Sequence, residues 1–205
     1  LHRRRHSFPT RRSSDLANLP PETHDVVEVP TEPYKYAEDE DERWTTEHQH
    51  EQVSKADKIK ELGDGYRKLI IICHYTEATR QLAEKLEKHK PVYILNGQTK
   101  DPDKTIKDAQ ASSDCYFIVQ SSMASGFDGV CFDAMIFTAM SHKMVDYVQA
   151  TGRLHHTQHI KPAIYYYLLA KYKKGRSWDE KIWYDSISQG KDFYGPTRTT
   201  KGYAT

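Results

Sequence analysis

Three short stretches of the sequence combine residue types that bind phosphate. Residues 149–158 read QATGRLHHTQ, and Arg153 follows a glycine near the end of a stretch with helical spacing. Arginine carries a planar, permanently charged guanidinium that matches phosphate oxygens, so Arg153 is a candidate phosphate ligand. An arginine at a helix end is also commonly just solvated. This stretch alone does not decide between the two interpretations.

The second stretch, residues 121–130, reads SSMASGFDGV and places two hydroxyls before a glycine turn. Gly126 and Gly129 allow a tight turn and the close approach of a ligand. Unpaired amides and hydroxyls in such a turn hold phosphate oxygens, and Asp128 offers an acceptor for a ribose hydroxyl. The alternative is an ordinary turn with a solvated aspartate.

The third stretch, residues 96–99, reads NGQT and directly follows an apolar run. Backbone amides and hydroxyls at this place would grip a nucleic-acid phosphate, a contact that carries no sequence information. A simple strand-to-helix turn is the alternative.

Apolar runs alternate with amphipathic stretches from Lys55 onward, which predicts alternating strands and helices. This alternation requires a parallel sheet with right-handed crossovers, whose ligands lie at the carboxyl ends of the strands. We therefore predict an α/β fold of three layers, a mainly parallel central sheet flanked by helices. The predicted strands are residues 69–73, 91–95, 115–120, 134–138 and 163–170, with a separate strand at 24–29.

Capping residues predict where the helices begin. Thr76 and Ser141 are candidate caps, and Asp101 is followed by a proline at the first helical position. Ser177 and Glu180 have the spacing of a capping box.

The amino-terminal residues 1–16 have a composition unlike the rest of the chain. The formal net charge is +1, but this segment holds five arginines against one aspartate, so the remainder has a net charge of −3. Residues 6–16, HSFPTRRSSDL, resemble a translated sequencing adapter, which predicts an assembly artefact and a natural chain that begins near Ala17 and lacks its upstream part. A genuine basic arm that binds nucleic acid is the alternative.

The remaining composition indicates a soluble, reduced protein. No apolar run approaches the roughly 18 residues of a membrane helix. Cys73, Cys115 and Cys131 lie in or beside apolar runs without CxxC spacing, which predicts buried thiols and a cytoplasmic location. The histidines at 155, 156 and 159 match no standard zinc pattern, so no metal site is predicted.

Two further clusters have open interpretations. The tyrosines at 165–167 fit strand packing better than base stacking. The basic residues Lys171, Lys173, Lys174 and Arg176 are either a solvated loop or a contact with DNA phosphates.

The order of these stretches resembles one family. From Lys55 onward the chain is similar to the second RecA-like lobe of superfamily-two helicases and translocases: KLIIICHYTEA resembles its first strand and turn, FIVQSSMASGFDGV resembles motif V, and YVQATGRLHH resembles motif VI. Upstream, LPPETHDVVEVP resembles the inter-lobe segment of the chromatin-remodeller-like branch. The resemblance extends from Leu19 to about Phe193, and a phage source is a further suggestion.

The resemblance implies roles for particular residues. In motif VI, Gln149, Gly152 and Arg153 match the pattern QxxGRxxR, and Arg153 would sense the γ-phosphate. His156 stands where the motif has its final arginine, which leaves the rate of hydrolysis open. Gly126 and Asp128 would join Gly152 and Arg153 around ATP. The nucleic-acid side would be formed by Asn96, Gly97, Gln98, Thr99, Ser121 and Ser122.

The resemblance also implies a division of labour. The chain has no GxxxxGK[ST] motif, and in this family ATP and Mg²⁺ are held mainly by the first lobe, which is the expected partner together with DNA. The expected organisation is an artefact at 1–16, a mostly extended inter-lobe linker at 17–54, the RecA-like domain at 55–193 and a polar tail at 194–205. Two alternatives stay open: a non-catalytic RecA-like module that binds nucleic acid or regulates a partner, and a fragment of an RNA helicase. The expected setting is a bacterial or phage-infected cell.

Overall fold

The computed structural model describes residue 19 and residues 21–34, 40–139, 144–155 and 161–184, without the side chains of residues 40–44 and 144–147. Several predictions fall outside these residues. They concern the segment 1–16, the cap at Ser141, the histidines at 156 and 159, and the tail at 194–205.

Six strands and six α-helices form the described part of the chain. The strands lie in one parallel sheet in the order β1-β6-β5-β2-β4-β3. The elements are β1 (Glu22–Pro30), α1 (Glu40–Ser54), α2 (Ala56–Gly63), β2 (Lys68–Cys73), α3 (Thr76–Leu86), β3 (Val92–Leu95), α4 (Pro102–Ala111), β4 (Cys115–Gln120), β5 (Ala134–Phe137), α5 (Met144–Leu154), β6 (Ala163–Lys171) and α6 (Trp178–Ile182).

The sheet is covered by helices on both faces. Every residue of β2 is buried, and its side chains alternate between two apolar clusters because successive strand residues point to opposite faces. Ile70 and Ile72 pack with residues of α4, α5 and α6, whereas Leu69 and Ile71 pack with residues of α2 and α3. The predicted three-layer α/β architecture is confirmed.

The segment before Lys55 has more structure than the sequence indicated. β1 forms a full edge of the sheet, paired in parallel with β6 along nine residues. The expectation of a mostly extended segment is wrong for residues 40–54, which form the 15-residue helix α1. The sequence of α1 is polar, and its order comes from buried polar side chains such as His48, Glu51 and Gln52, whose partners are distant in sequence. The boundary at residue 55, between the segment 17–54 and the RecA-like domain, stays a prediction.

A buried cluster of charges joins the start of the domain to its last helix. The Lys55 ammonium contacts the carboxylate of Asp179 and the carbonyl of Thr138, and both charged side chains are fully buried. Glu51 Oε1 accepts a hydrogen bond from the Trp178 amide at 2.9 Å, and its Oε2 accepts one from the Asp179 amide at 3.1 Å. Burial, followed by the nearby Asp179 carboxylate, raises the pKa of Glu51.

Two of the three testable capping predictions are confirmed. Asp101 Oδ1 accepts from the Lys104 amide at 3.0 Å, and Ser177 and Glu180 form a reciprocal capping box. The prediction for Thr76 is wrong. The cap position is Tyr75, and the Thr76 hydroxyl instead donates to Gln120 Oε1 at 3.2 Å.

The three thiols have two different environments. Cys73 and Cys115 are buried as predicted, and burial raises the pKa of the Cys73 thiol to about 12. The prediction of a buried Cys131 is wrong, because this residue lies in the turn before β5 and is exposed while its neighbour Phe132 points into the core. Cys131 Sγ is 3.4 Å from the Lys68 ammonium.

Candidate nucleotide and nucleic-acid sites

A cleft of about 320 Å³ lies between the loop after β4 and the end of α5. Its lining includes Gly126, Asp128, Gly152 and Arg153, together with Ser125 and Phe127. All four residues predicted around ATP therefore meet in one place, although they come from two stretches more than 20 residues apart. Gln149 is exposed one turn earlier on α5 and does not line this cleft.

The Arg153 guanidinium has one anchored nitrogen and one buried nitrogen without a hydrogen-bond partner among the described residues. Its Nη1 donates to the Phe127 carbonyl at 3.3 Å, which anchors one side of the guanidinium. Its Nε is buried and has no hydrogen-bond partner among the described residues. A buried donor without an acceptor is costly. Other parts of the Arg153 side chain line the cleft, where a guanidinium nitrogen would donate to a bound phosphate oxygen.

Asp128 lies at the exposed rim of the same cleft. Its Oδ1 accepts from the Val130 amide at 3.0 Å, which holds the glycine turn in shape. Its carbonyl accepts from Gln110 Nε2 at 2.9 Å, so the loop is also attached to the last turn of α4.

The cleft does not lie at the carboxyl edge of the sheet, where ligands were expected. Because α5 crosses between two parallel strands, it runs antiparallel to them and ends at their amino edge. This is shown by His155, which directly follows α5 and contacts Glu22 at the start of β1. The candidate nucleotide site therefore lies near the amino edge of the sheet, whereas the stretches at residues 96–99 and 121–122 lie at the carboxyl edge.

Gly129 sets the distance between the glycine loop and α5. Its amide donates to the Arg153 carbonyl at 3.2 Å, and a Cβ atom built on it would lie 2.7 Å from that oxygen. A Cβ on Gly152 would meet nothing within 4 Å.

Replacing Gly129 with alanine is therefore expected to lower the free energy of unfolding by about 1–3 kcal/mol and to displace the loop from Arg153. Gly152→Ala, the matched control in a helix, is expected to raise stability by up to about 1 kcal/mol because glycine disfavours helices. Chemical unfolding of both variants tests this, and equal stabilities would show that the close approach is unimportant.

At the carboxyl edge, one side chain joins the ends of three neighbouring strands. Gln120 Oε1 accepts from the Gly97 amide at 3.0 Å and from the Thr76 hydroxyl at 3.2 Å. Its Nε2 donates to the His74 carbonyl at 3.4 Å. The stretches at 96–99 and 121–122, predicted to contact nucleic acid, are brought together by this amide.

The polar groups of the NGQT turn are largely used within the turn. Asn96 is buried, its Nδ2 donates to the Thr79 hydroxyl at 2.8 Å, and its Oδ1 accepts from the Gln98 amide at 2.9 Å. The Thr99 hydroxyl donates to the Ile94 carbonyl at 3.1 Å. Asn96 and Thr99 therefore shape the turn, whereas Gly97 and Gln98 are exposed at its surface.

Of the two serines after β4, one is exposed and the other is partly buried. Ser122 is exposed, whereas Ser121 is half-buried with its hydroxyl 3.3 Å from His74 Nδ1. His74 and Gln120 were not identified from the sequence, although each stands at the carboxyl end of a predicted strand, which was the signal available.

The remaining clusters have mainly structural roles. Tyr165 and Tyr167 are buried, in agreement with the packing interpretation. In the basic segment, Lys173 pairs with Glu32 at 2.9 Å and Lys171 pairs with Glu180, which reduces the net positive charge offered to a polyanion.

One cluster of potential metal ligands occurs among the described residues. His48, Glu51 and Asp179 bring ligand atoms within 4.8 Å of one another, and His48 Nε2 lies 3.5 Å from Asp179 Oδ1. The Lys55 ammonium already contacts Asp179, and the Glu51 oxygens accept hydrogen bonds from Tyr172, Trp178 and Asp179. A divalent ion would face that ammonium, so we assign the cluster to the structural core.

The helicase conserved C-terminal domain family matches residues 54–158, about half of the chain, and the chain belongs to this family. The sequence matches none of the curated proteins with which it was compared. In the described residues, no helix combines the length and the apolar character that crossing a membrane requires.

Solved helicase structures have the same fold. The C-terminal part of the Fun30 ATPase domain is 23% identical with a TM-score of 0.58, over 75% of this chain and 48% of that one. The C-terminal domain of the DEAD-box protein Dbp5 is 15% identical with a TM-score of 0.57, over 90% of both chains. Domain 2 of the DEAD-box helicase Mss116p, bound to an RNA duplex, is 13% identical with a TM-score of 0.53, over 82% of this chain and 68% of that one.

The predicted RecA-like fold is thereby confirmed. The chain spans about half the length of the Fun30 structure, and it has the architecture of a helicase C-terminal domain.

Proposed function

We propose that this chain is the C-terminal motor lobe of an ATP-dependent DNA helicase or translocase and is incomplete as an ATPase by itself. The observation that carries the proposal is the cleft in which Arg153, with its unpaired Nε, meets the glycine loop and Asp128. Phosphoryl transfer relies on positioning and on charge stabilisation, which a fixed guanidinium supplies.

In this proposal Arg153 contacts the γ-phosphate, and Gly126 and Gly152 keep side chains away from the nucleotide. Asp128 positions the nucleotide at the rim of the cleft. Gln149 and His156 complete motif VI, and His156 takes the place of the motif's final arginine. ATP and its Mg²⁺ would be held mainly by a first RecA-like lobe, which supplies the phosphate-binding loop.

The carboxyl edge would face the nucleic acid. Gly97, Gln98 and Ser122 are exposed there, while Asn96, Thr99 and Ser121 support them from within. Contacts of this kind are to the phosphate backbone and suit a protein that moves along a strand. Closing and opening of two lobes around ATP would then produce the movement.

An RNA helicase is the second candidate, and it is favoured by the similarity to Mss116p domain 2, whose structure contains an RNA duplex. Competition between duplex DNA and duplex RNA of equal length for the 205-residue chain distinguishes the two. We expect DNA to displace a labelled probe at the lower concentration, and the reverse order would favour the RNA helicase.

Introducing a negative charge at the carboxyl edge tests the proposed nucleic-acid surface. Ser122→Glu is expected to weaken binding of duplex DNA roughly three- to tenfold at low salt, because the new carboxylate repels phosphates. Thr23→Glu, a change at another exposed residue, on β1 at the amino edge, is the control and should have little effect. Equal affinities of the two variants would place the nucleic acid elsewhere.

Sequencing of the source DNA distinguishes the proposed motor lobe from the alternative, a non-catalytic module. Long reads across the codons of Leu16 and Ala17 support the motor when they continue into a lobe with GK[ST]. A native start codon near Ala17 would instead favour the module.

A further inference from the structure

An edge strand outside the matched family region contacts the turn that carries Arg153. Glu22, the first residue of β1, contacts His155 Nδ1 through its carboxylate Oε1. Its second oxygen, Oε2, lies 3.0 Å from His24 Nε2. Both carboxylate oxygens are therefore engaged, and the Glu22 side chain is only 10% exposed, so these contacts are held in a poorly solvated place.

The His24 ring is fixed in turn by the neighbouring strand β6. Its Nδ1 lies 2.8 Å from the Tyr167 hydroxyl, and its ring stacks on Tyr165 with centroids 4.8 Å apart. Tyr165 and Tyr167 are almost completely buried in the sheet. A rigid part of the core thus determines where His24 and Glu22 lie.

A second connection reaches the same helix end. The Tyr165 hydroxyl donates to the Thr151 carbonyl at 2.7 Å, two residues before Arg153. The contact at His155 lies two residues after Arg153. The last turn of α5 is held on both sides of Arg153, while Phe127 and Gly129 hold Arg153 itself from the glycine loop.

We propose that Glu22 and Tyr165 are positioning residues for the nucleotide-contacting arginine, with His24 as the link between them. Strand β1 would thereby fix the orientation of the Arg153 guanidinium in its cleft. A catalytic role for these contacts rests on the proposed function. The contacts that connect β1 and β6 to the last turn of α5 do not depend on it. The proposed role of Glu22 gives the residues before the family match a part in the nucleotide site.

The test observes the Arg153 Nε–H group directly by NMR in the ligand-free 205-residue chain. Glu22→Gln keeps the size of the side chain and removes its charge. We expect the Arg153 Nε–H signal to move and its exchange with solvent to accelerate roughly tenfold, because the donor is no longer held in its buried place. Tyr165→Phe removes only a hydroxyl and should change the signal in the same direction.

Two matched controls separate positioning from general stability. Glu28→Gln makes the same chemical change at an exposed place on β1, and Tyr166→Phe removes a hydroxyl that contacts Tyr66 on another side of β6. Both should leave the Arg153 signal unchanged. Thermal unfolding of all four variants shows whether the signal follows stability or position.

The proposal is overturned if the Arg153 signal is unchanged in Glu22→Gln and in Tyr165→Phe, as it should be in the two controls. This holds even if the two test variants lower the midpoint of thermal unfolding. The proposed function is tested separately by comparing the Mg²⁺-ATP affinity of the wild type with that of Arg153→Ala in a protein that contains both motor lobes. Equal affinity of these two would remove Arg153 from the nucleotide site without affecting the positioning result.

Discussion

Replacing Arg153 with alanine is expected to reduce nucleic-acid-stimulated ATP hydrolysis by about 10³-fold or more in a protein that contains both motor lobes. Among the described residues, the guanidinium is the one cationic group that lines the cleft, and its Nε has no hydrogen-bond partner there. Charge that develops on the phosphoryl group would then have no fixed donor on this side. Steady-state hydrolysis with saturating nucleic acid measures the effect.

Two further variants show whether the loss of hydrolysis comes from the Arg153 guanidinium. Arg153→Lys keeps the charge but loses the planar fork, so we expect it to recover only a small part of the rate. Arg80→Ala removes an exposed arginine of α3 that pairs with Glu77 and Glu84, and it should behave like the wild type. Normal turnover in Arg153→Ala would contradict the proposed role.

Replacing Lys55 with methionine is expected to lower the free energy of unfolding by about 3–5 kcal/mol. The variant leaves the carboxylates of Glu51 and Asp179 buried without the ammonium that now compensates them. It also leaves the Thr138 carbonyl without its lysine donor. Chemical unfolding measures the loss, and Lys60→Met, which removes a surface ammonium from α2, should change stability by no more than about 1 kcal/mol.

The pairing itself is tested by a double-mutant cycle. Lys55→Met and Asp179→Asn should together cost much less than the sum of their separate effects, because each single variant leaves one buried charge unbalanced. Additive effects would mean that the two groups do not stabilise each other.

The two buried carboxylates, Asp179 and Glu51, affect the pH dependence of stability in opposite directions. Burial alone would raise the pKa of Asp179, but the Lys55 ammonium and then His48 outweigh it, so the pKa is lower in the folded protein. The stabilisation from Asp179 is therefore fully present above the pKa of an unfolded aspartate and is lost as the pH falls through the folded pKa. Glu51 acts in the opposite direction because its pKa is raised.

Local patterns were sufficient for most of the sheet and for two of the helix starts. The strands at 115–120 and 163–170 were predicted to within a residue, because short apolar runs that alternate with amphipathic stretches are typical of buried parallel strands. Asp101 and Ser177 cap their helices as expected, since a capping side chain and its amide lie three residues apart.

The helix α1 and the position of Cys131 could not be obtained in this way. The polar sequence of α1 has too little apolar surface to predict a helix packed against the domain, and its order depends on partners such as Trp178 and Asp179, more than 120 residues away. The exposure of Cys131 depends on the direction of a turn, which its apolar neighbours do not reveal.

The sequence by itself determined the fold class and the identity of the residues around Arg153, because strand and helix periodicity and glycine-rich turns are encoded over a few adjacent residues. Only the tertiary structure decided that these residues form one cleft near the amino edge and that Glu22 holds the turn beyond Arg153. The same is true of the contact between Lys55 and Asp179 in the core. The cleft joins two segments about 25 positions apart, and the other two contacts join residues more than 100 positions apart. They depend on the packing of the whole sheet, which no local pattern specifies.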